Sequence, residues 1–220
     1  DVPILLNVNE NTHGVPADVR AAISEAVTIA AAGLNRYPDR EFTELREALA
    51  EYLGHGLGAE NIWAANGSNE VLQQILQAFG GPGRTALGFP PTYSMYPLLA
   101  TGTDTGYIVG VRADDYGLSA ASAARQVREL QPNIVFLCSP NNPTGTGLGL
   151  DVVEAVYEAG EASQTIVIVD EAYHEFAGRS VVPLLATHGN LVVLRTFSKA
   201  MALAGLRVGY LLGAPALVRE

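Results

Sequence analysis

The residues best equipped for chemistry lie near the end of the chain, around Lys199. The aliphatic run 191–194 is typical of a strand that is buried on both faces. It leads directly into Thr196, Ser198 and Lys199, and Arg207 follows eight residues after the lysine. A strand end that presents hydroxyls, an amine and a guanidinium is equipped to bind a phosphate group and to carry out amine chemistry. The alternative is a solvated loop lysine, so the interpretation depends on the rest of the chain.

Composition limits the classes of protein that this chain can represent. It has 220 residues, of which 48% are hydrophobic and 16% charged, as expected for a well-buried globular protein. The net charge of −10 argues against nucleic acid or an anionic membrane as the main partner. The single cysteine, Cys138, excludes a disulfide framework and fits a reducing, cytoplasmic location. No signal peptide or membrane-spanning run is recognisable.

Apolar segments alternate with segments of helical periodicity along most of the chain. The pattern predicts strands at 61–65, 84–89, 106–111, 133–138, 165–170, 191–195 and 207–212. It predicts helices at 16–32, 43–53, 68–79, 93–100, 119–130, 150–162 and 199–204. Such alternation favours an α/β fold, with three α/β/α layers around a mainly parallel seven-stranded sheet. Residues 1–35 precede the alternation and are interpreted as a segment that leads into a large domain, 36–220.

In such sheets, ligands bind outside the carboxyl ends of the strands, so the residues that follow each strand are informative. Ser68 and Asn69 follow the first strand and open a helix, whose free amides form an anion site. Tyr93 follows the second strand behind two prolines and is placed to stack on a planar ring. The ordinary alternative for Ser68 and Asn69 is a capped helix without a ligand, and for Tyr93 it is a tyrosine packed in the core.

Polar residues also follow the fourth and fifth strands. Asn142 lies in a rigid turn between two prolines, where an amide is placed to donate to a phenolic oxygen. Asp170 ends a wholly apolar strand, so its carboxylate needs a charged or hydrogen-bonded partner, such as a pyridinium nitrogen. Tyr173 comes three residues later and is able to reach the same ring.

Together, the residues at these strand ends include an aromatic side chain that can stack on a ring and a carboxylate that can pair with a ring nitrogen. They also include donors for a ring oxygen, a phosphate site and a lysine. This combination indicates pyridoxal 5'-phosphate, bound to Lys199 as a Schiff base. The glycines near 145–149 do not have the dinucleotide-binding spacing after a strand, so a dinucleotide site is rejected. The four histidines show no metal-ligand spacing, and no metal site is predicted.

These motifs resemble those of the fold-type I pyridoxal-phosphate enzymes, and among them the histidinol-phosphate aminotransferases. The resemblance spans nearly the whole chain and rests on segments 6–11, 35–39, 65–70, 91–93, 139–145, 170–173, 196–199 and 205–207. It implies transfer of an amino group between L-histidinol phosphate and 2-oxoglutarate by a ping-pong mechanism. It also implies a homodimer in which Tyr37 reaches the phosphate of the neighbouring subunit.

The resemblance also implies a role for each remaining site residue. Lys199 forms the Schiff base and shuttles a proton, and Asp170 keeps the pyridine nitrogen protonated. Asn142 and Tyr173 donate hydrogen bonds to the ring oxygen, and Tyr93 stacks on the ring. The phosphate is held by the amides of Ser68 and Asn69 together with Ser198 and Arg207.

The chain also departs from this family. Thr12 and His13 occupy positions where the family commonly has proline followed by an aromatic residue. The smaller C-terminal domain, which carries the arginine that binds the substrate carboxylate, is expected to be absent from this chain. An aromatic aminotransferase and a threonine-phosphate decarboxylase are alternatives within the same subgroup. A truncated module that binds cofactor or partners without turnover is an alternative of another class.

Overall fold

A seven-stranded sheet forms the centre of the computed structural model, which describes residues 8–220. The strands are β1 (Ile62–Ala65), β2 (Thr85–Gly88), β3 (Gly106–Val109), β4 (Ile134–Cys138), β5 (Ile166–Asp170), β6 (Leu191–Thr196) and β7 (Gly209–Gly213). Their order across the sheet is β1-β7-β6-β5-β4-β2-β3. The predicted α/β fold is therefore confirmed. Leu6 and Asn7, which begin the first family motif, lie outside the described residues.

The central strands are parallel, and among the strands of residues 8–220 only β7 runs in the opposite direction. β4 pairs with β2 and β5, and β5 pairs with β6, all in parallel. β7 lies antiparallel to both β6 and β1. The prediction of a mainly parallel sheet is thus confirmed. Strands β4, β5 and β6 are buried along their whole length, as their continuous runs of Val, Ile and Leu predict.

Helices cover both faces of the sheet. The described residues form the α-helices α1 (Ala17–Ala31), α2 (Thr43–Leu53), α3 (Ser68–Phe79), α4 (Met95–Gly102), α5 (Ala120–Leu130), α6 (Leu150–Gly160) and α7 (Pro215–Val218). One face packs against α2, α5 and α6. The other face packs against α3 and α4, with α7 at its margin. Neighbouring residues of each buried strand contribute to opposite faces, which gives the three predicted α/β/α layers.

The prediction of a helix at 199–204 is wrong. The Ala202 amide donates to the Lys199 carbonyl at 3.0 Å, and the Leu203 amide reaches back to the Phe197 carbonyl at 3.1 Å. Ala202 is left-handed, with φ of 56°, so the chain turns. The physical reason is the antiparallel pairing of Thr196 with Gly209, because the intervening segment must reverse direction within a short length. A short 3₁₀ turn, Ala204–Leu206, completes the reversal.

The N-terminal helix differs from the others in its surroundings. Within the described part of the chain, α1 contributes no buried residue, and its Val27 and Ile29 side chains are exposed. Leu34 and Tyr37, which follow it, are exposed as well. This region therefore presents a run of apolar side chains to its surroundings. Across residues 8–220, every helix is too short or too polar to cross a lipid bilayer.

Candidate active site

A cavity of about 520 Å³ lies at the carboxyl ends of the parallel strands. Nine of the ten predicted site residues line it, namely Ser68, Asn69, Tyr93, Asn142, Asp170, Tyr173, Ser198, Lys199 and Arg207. They come from five separate strand ends and the start of β7. A second cavity, of about 440 Å³, lies beside Trp63 and contains none of these residues. The fold thus brings together side chains that are far apart in the sequence.

Lys199 lies at the mouth of the cavity and contacts the first described residues of the chain. Its Nζ donates to the Asn9 carbonyl at 2.8 Å and lies 5.7 Å from the centroid of the Tyr173 ring. The Asn9 side chain donates to the Tyr173 hydroxyl at 2.8 Å. Burial lowers the pKa of Lys199; Arg207 lowers it further, whereas Glu10 and Asp170 oppose that shift. The amine is therefore easier to deprotonate than that of an ordinary lysine.

Asp170 forms the floor of the cavity at the end of β5. The residue is only 4% exposed. Its Oδ2 accepts a hydrogen bond from the Tyr96 hydroxyl at 2.7 Å, and its Oδ1 accepts one from the Ala172 amide at 3.1 Å. Burial raises the pKa of the carboxyl group, whereas these two hydrogen bonds lower it. A buried carboxylate that lines a cavity is suited to bind a cationic N–H group.

Another group of residues in the cavity lining is rich in hydrogen-bond donors. Helix α3 begins at Ser68, and within residues 8–220 the amides of Ser68 and Asn69 have no protein acceptor. The Arg207 guanidinium lies beside them and donates to the Asn66 carbonyl at 3.4 Å. Ser198 adds a hydroxyl, which accepts from Thr196 at 3.0 Å. Free helix amides beside a guanidinium form a site for a phosphate group.

Two glycines, Gly67 and Gly209, allow Arg207 and the start of β7 to lie close to the turn before α3. Gly67 has φ of 92°, and a Cβ there would collide with the Arg207 guanidinium. Gly209, the first residue of β7, passes under the same turn. A Cβ on Gly209 would collide with the Ser68 amide nitrogen and would lie 2.8 Å from the Ser68 Cα. Small residues at both positions let Arg207 and the first turn of α3 share one site.

Gly209→Ala is therefore expected to lower the free energy of unfolding by about 2 kcal/mol, because the added methyl group displaces the turn at Ser68. Urea unfolding measures the change. Gly213→Ala is a matched control at the other end of the same strand, where the nearest atoms lie at an ordinary contact distance of 3.7 Å. Equal losses for the two variants would contradict this account of the turn.

Tyr93 and Asn142 also line the cavity. The Tyr93 hydroxyl donates to the Asn69 side chain at 3.0 Å, which ties the loop after β2 to the start of α3. The two adjacent asparagines have different positions. Asn142 lines the cavity, whereas buried Asn141 donates to the Pro91 carbonyl at 2.9 Å and to the Thr144 hydroxyl at 2.7 Å. Asn141 therefore holds the loop in which Asn142 lies.

Tyr37 is the one predicted site residue that does not line the cavity. Its side chain is fully exposed, with a relative accessibility of 102%. The expectation that it acts across a subunit interface stays a prediction. Sequence reasoning missed Asn9 and Tyr96. Tyr96 lies three residues after Tyr93, and this helical spacing was the available signal, whereas for Asn9 the signal was the family motif 6–11 that contains it.

Comparison with known proteins agrees with the geometry of the site. The family model described as aminotransferase class I and II matches residues 1–220. The chain belongs to this aminotransferase family. A histidinol-phosphate aminotransferase from Paenarthrobacter aurescens is 80% identical to the aminotransferase chain over 218 residues. One from Thermobifida fusca is 54% identical over 220 residues. The matches cover 98% and 99% of this chain but 59% of each relative, so the chain spans about 59% of their length.

Solved structures show the same fold as this aminotransferase chain. The histidinol-phosphate aminotransferase from Sinorhizobium meliloti, determined in complex with pyridoxal-5'-phosphate, superposes with a TM-score of 0.84 at 29% identity. The match covers 96% of this chain and 56% of that one. The aspartate aminotransferase from Thermus thermophilus, determined with maleate, has a TM-score of 0.85 at 23% identity, over 96% of this chain and 57% of its own. At that identity the second likeness concerns the fold alone.

Proposed function

We propose that this chain is the cofactor-binding part of a pyridoxal-phosphate-dependent aminotransferase that acts on histidinol phosphate and 2-oxoglutarate. The observation that carries the proposal is one cavity that holds the Lys199 amine, the buried Asp170 carboxylate and the donor-rich start of α3. Bound pyridoxal phosphate would supply an electron sink for the transfer of an amino group. In this proposal residues 36–220 form the cofactor-binding domain, and the enzyme is cytoplasmic.

The donors at the anion end of the cavity fit the phosphate group of this cofactor. It would be held by the Ser198 hydroxyl, the Arg207 guanidinium and the amides of Ser68 and Asn69, which have no protein acceptor within residues 8–220. A phosphate dianion needs several such donors, and the N-terminus of a helix such as α3, which has 12 residues, favours negative charge.

The floor and sides of the cavity fit the pyridine ring. Asp170 would hold a proton on the ring nitrogen, because an ionised carboxylate in a buried position stabilises a cationic N–H group. Asn142 and Tyr173 would donate to the ring oxygen, and Tyr93 would cover one face of the ring. The Tyr173 hydroxyl accepts from Asn9, so its own proton is available for donation to the ring oxygen.

Lys199 would bind the cofactor covalently and then move a proton. Its lowered pKa increases the fraction of neutral amine, which is the nucleophilic and basic form. After the substrate amine takes its place, the freed Nζ would remove the proton from the substrate carbon and return it to the cofactor carbon. The same amine serves both half-reactions, so ping-pong kinetics are expected.

The proposed substrate is supported by the names of relatives that reach 80% identity. An aromatic aminotransferase and a threonine-phosphate decarboxylase remain second candidates, because the cofactor-binding residues alone do not distinguish them. A module without turnover is the candidate of another class. Initial rates on L-histidinol phosphate and on phenylalanine, measured with the intact protein, decide between these. A clear preference for phenylalanine would exclude the proposed substrate, and no turnover on any amine would favour the inactive module.

We further propose that the protein acts as a homodimer in which Tyr37 contributes to the partner's phosphate site. The support is that four apolar or aromatic side chains at and after the end of α1, Val27, Ile29, Leu34 and Tyr37, are each exposed, as side chains that a partner covers would be in a single chain. Tyr37→Phe in the intact protein is expected to weaken phosphate binding without changing the oligomeric state. Sedimentation analysis that finds only monomer would exclude this arrangement.

Covalent capture of the cofactor tests the central proposal directly. The protein is mixed with pyridoxal phosphate, reduced with borohydride and digested, and the labelled peptide is identified by mass spectrometry. Lys199 is the only lysine of the 220 residues, so a labelled lysine within this chain has one possible position. The label is expected on Lys199 and absent from Lys199→Ala. Label confined to a terminal amine would refute the proposed cofactor site.

A further inference from the structure

Tyr96 lies beneath the cavity and contacts the floor of the proposed cofactor site. Its side chain is fully buried, with a relative accessibility of 0%, in the layer formed by α3 and α4. Its ring stacks on Phe136, with centroids 4.5 Å apart and planes 3° from parallel. Its hydroxyl donates to Asp170 Oδ2 at 2.7 Å. The ring position is therefore fixed by β4 while the hydroxyl acts on the end of β5.

This hydrogen bond acts against the effect of burial on Asp170. Burial disfavours the charged form of the carboxyl group, and a donor that contacts one oxygen favours that form. Among the causes that lower the pKa of Asp170, the Tyr96 hydrogen bond is the largest. Burial and the nearby carboxylate raise the pKa of Tyr96 well above its usual value, so the phenol keeps its proton and remains a donor.

The two oxygens of Asp170 are fixed from different directions. Tyr96 contacts Oδ2, and the Ala172 amide contacts Oδ1. Two anchors hold the plane of the carboxylate, which leaves its remaining lone pairs for a group in the cavity. Loss of one anchor changes both the orientation and the proton affinity of the group.

We propose that Tyr96 is a positioning residue that keeps Asp170 ionised and oriented, so that a proton shared with the cofactor nitrogen stays on the ring. The inference rests on the proposed function. Without the hydroxyl, Asp170 would bind a proton more strongly and would stabilise a positive charge on the bound ring less well. The pH at which the absorption of the bound cofactor changes would then rise.

Other titratable groups also face Asp170 and remain unchanged in the test. They are Cys138 on β4, Glu171 beside it, Lys199 after β6, and Tyr93 and Tyr173. Because they are common to all variants below, a difference between variants reports on Tyr96.

The test follows the absorption of bound pyridoxal phosphate against pH in the intact protein. In Tyr96→Phe, the midpoint of the spectral change is expected to rise by about half a pH unit, and cofactor affinity to fall about tenfold. Site-specific replacement of Tyr96 by 3-fluorotyrosine makes the hydroxyl a stronger donor at nearly the same size. It is expected to shift the midpoint in the opposite direction, to lower pH.

Two comparisons separate this role from a merely structural one. Tyr107→Phe removes a buried hydroxyl of the same layer that has no partner within the described residues, and it is expected to leave the midpoint unchanged. In an Asp170→Asn background, Tyr96→Phe is expected to produce no further shift, because no ionised carboxylate remains. A further shift in that background would overturn the proposal.

The other possible results of these experiments also decide for or against the role of Tyr96. A midpoint in Tyr96→Phe equal to that of the unmodified protein overturns the role of Tyr96. If Tyr96→Phe does not fold, the 3-fluorotyrosine variant decides, and an unchanged midpoint there overturns the role as well. If the unmodified protein takes up no pyridoxal phosphate at Lys199, the proposed function itself fails, and the inference falls with it.

Discussion

Replacing Asp170 with asparagine is expected to lower the kcat of amino transfer by about 10²–10³-fold. The amide occupies the same space and still accepts from Tyr96, but it carries no charge to hold a proton on the ring nitrogen. In the proposed function, Asp170 would then no longer support the electron-withdrawing chemistry that bound pyridoxal phosphate would supply. Steady-state kinetics of the intact protein measure the loss, and cofactor absorbance confirms that the site remains loaded.

The same substitution is expected to change the free energy of unfolding little, because two effects oppose each other. A neutral amide avoids the cost of burying a charge, but its single oxygen keeps the hydrogen bond from Tyr96 and loses the one from the Ala172 amide. Asp104→Asn, on the exposed surface at the other edge of the sheet, is the matched control and is expected to change neither quantity. An Asp170→Asn protein with full kcat would contradict the electrostatic role of the carboxylate.

Arg195→Met is expected to lower the free energy of unfolding by about 3–5 kcal/mol. Arg195 donates to Glu171 Oε2 from Nε at 3.1 Å and from Nη2 at 2.9 Å, and the two side chains are 7% and 3% exposed. Methionine fills most of the space but leaves the Glu171 carboxylate buried without its cation. Glu171 also accepts from Ser180 and from the Val181 amide, so it holds the segment that follows Tyr173.

Two further variants test this explanation by urea unfolding. Adding Glu171→Gln to Arg195→Met is expected to recover more than half of the loss, because the neutral amide still accepts hydrogen bonds without an unpaired charge. Arg125→Met removes an exposed pair with Glu129 at 3.2 Å and is expected to cost less than about 0.5 kcal/mol. Comparable costs for Arg195→Met and Arg125→Met would show that burial of the pair has no special effect.

Most of the fold was predictable because the central strands are buried on both faces. Their unbroken aliphatic runs allowed all seven strands to be located to within a few residues, and the intervening helices followed. The prediction of a helix at 199–204 was wrong because the small apolar residues of this segment suit a helix as well as a turn. Its conformation is decided by the pairing of β7 with β6, a contact between distant residues that local periodicity does not contain.

The candidate site was partly predictable for a different reason. The carboxyl ends of parallel strands meet at one edge, so residues after several strands were expected to converge there, and nine of them line one cavity. Tyr96 was missed because a buried tyrosine on a helix resembles an ordinary core residue until its hydroxyl is seen to contact Asp170. Asn9 contacts Tyr173 across 164 positions of the chain, and no local pattern indicates such a contact.

Because β7 runs in the opposite direction to its neighbours, the loops at the two edges of the sheet differ in how well they are expected to tolerate insertions. Because β7 starts where the parallel strands end, Arg207 reaches the same cavity as Lys199, and the connection 197–208 has little freedom in length. The turns at 80–84, 103–105, 131–133 and 161–165 all lie at the far edge. Insertions, tags or fluorescent labels are therefore expected to be tolerated at that far edge, whereas an added residue between Lys199 and Arg207 is expected to separate the amine from the proposed phosphate site.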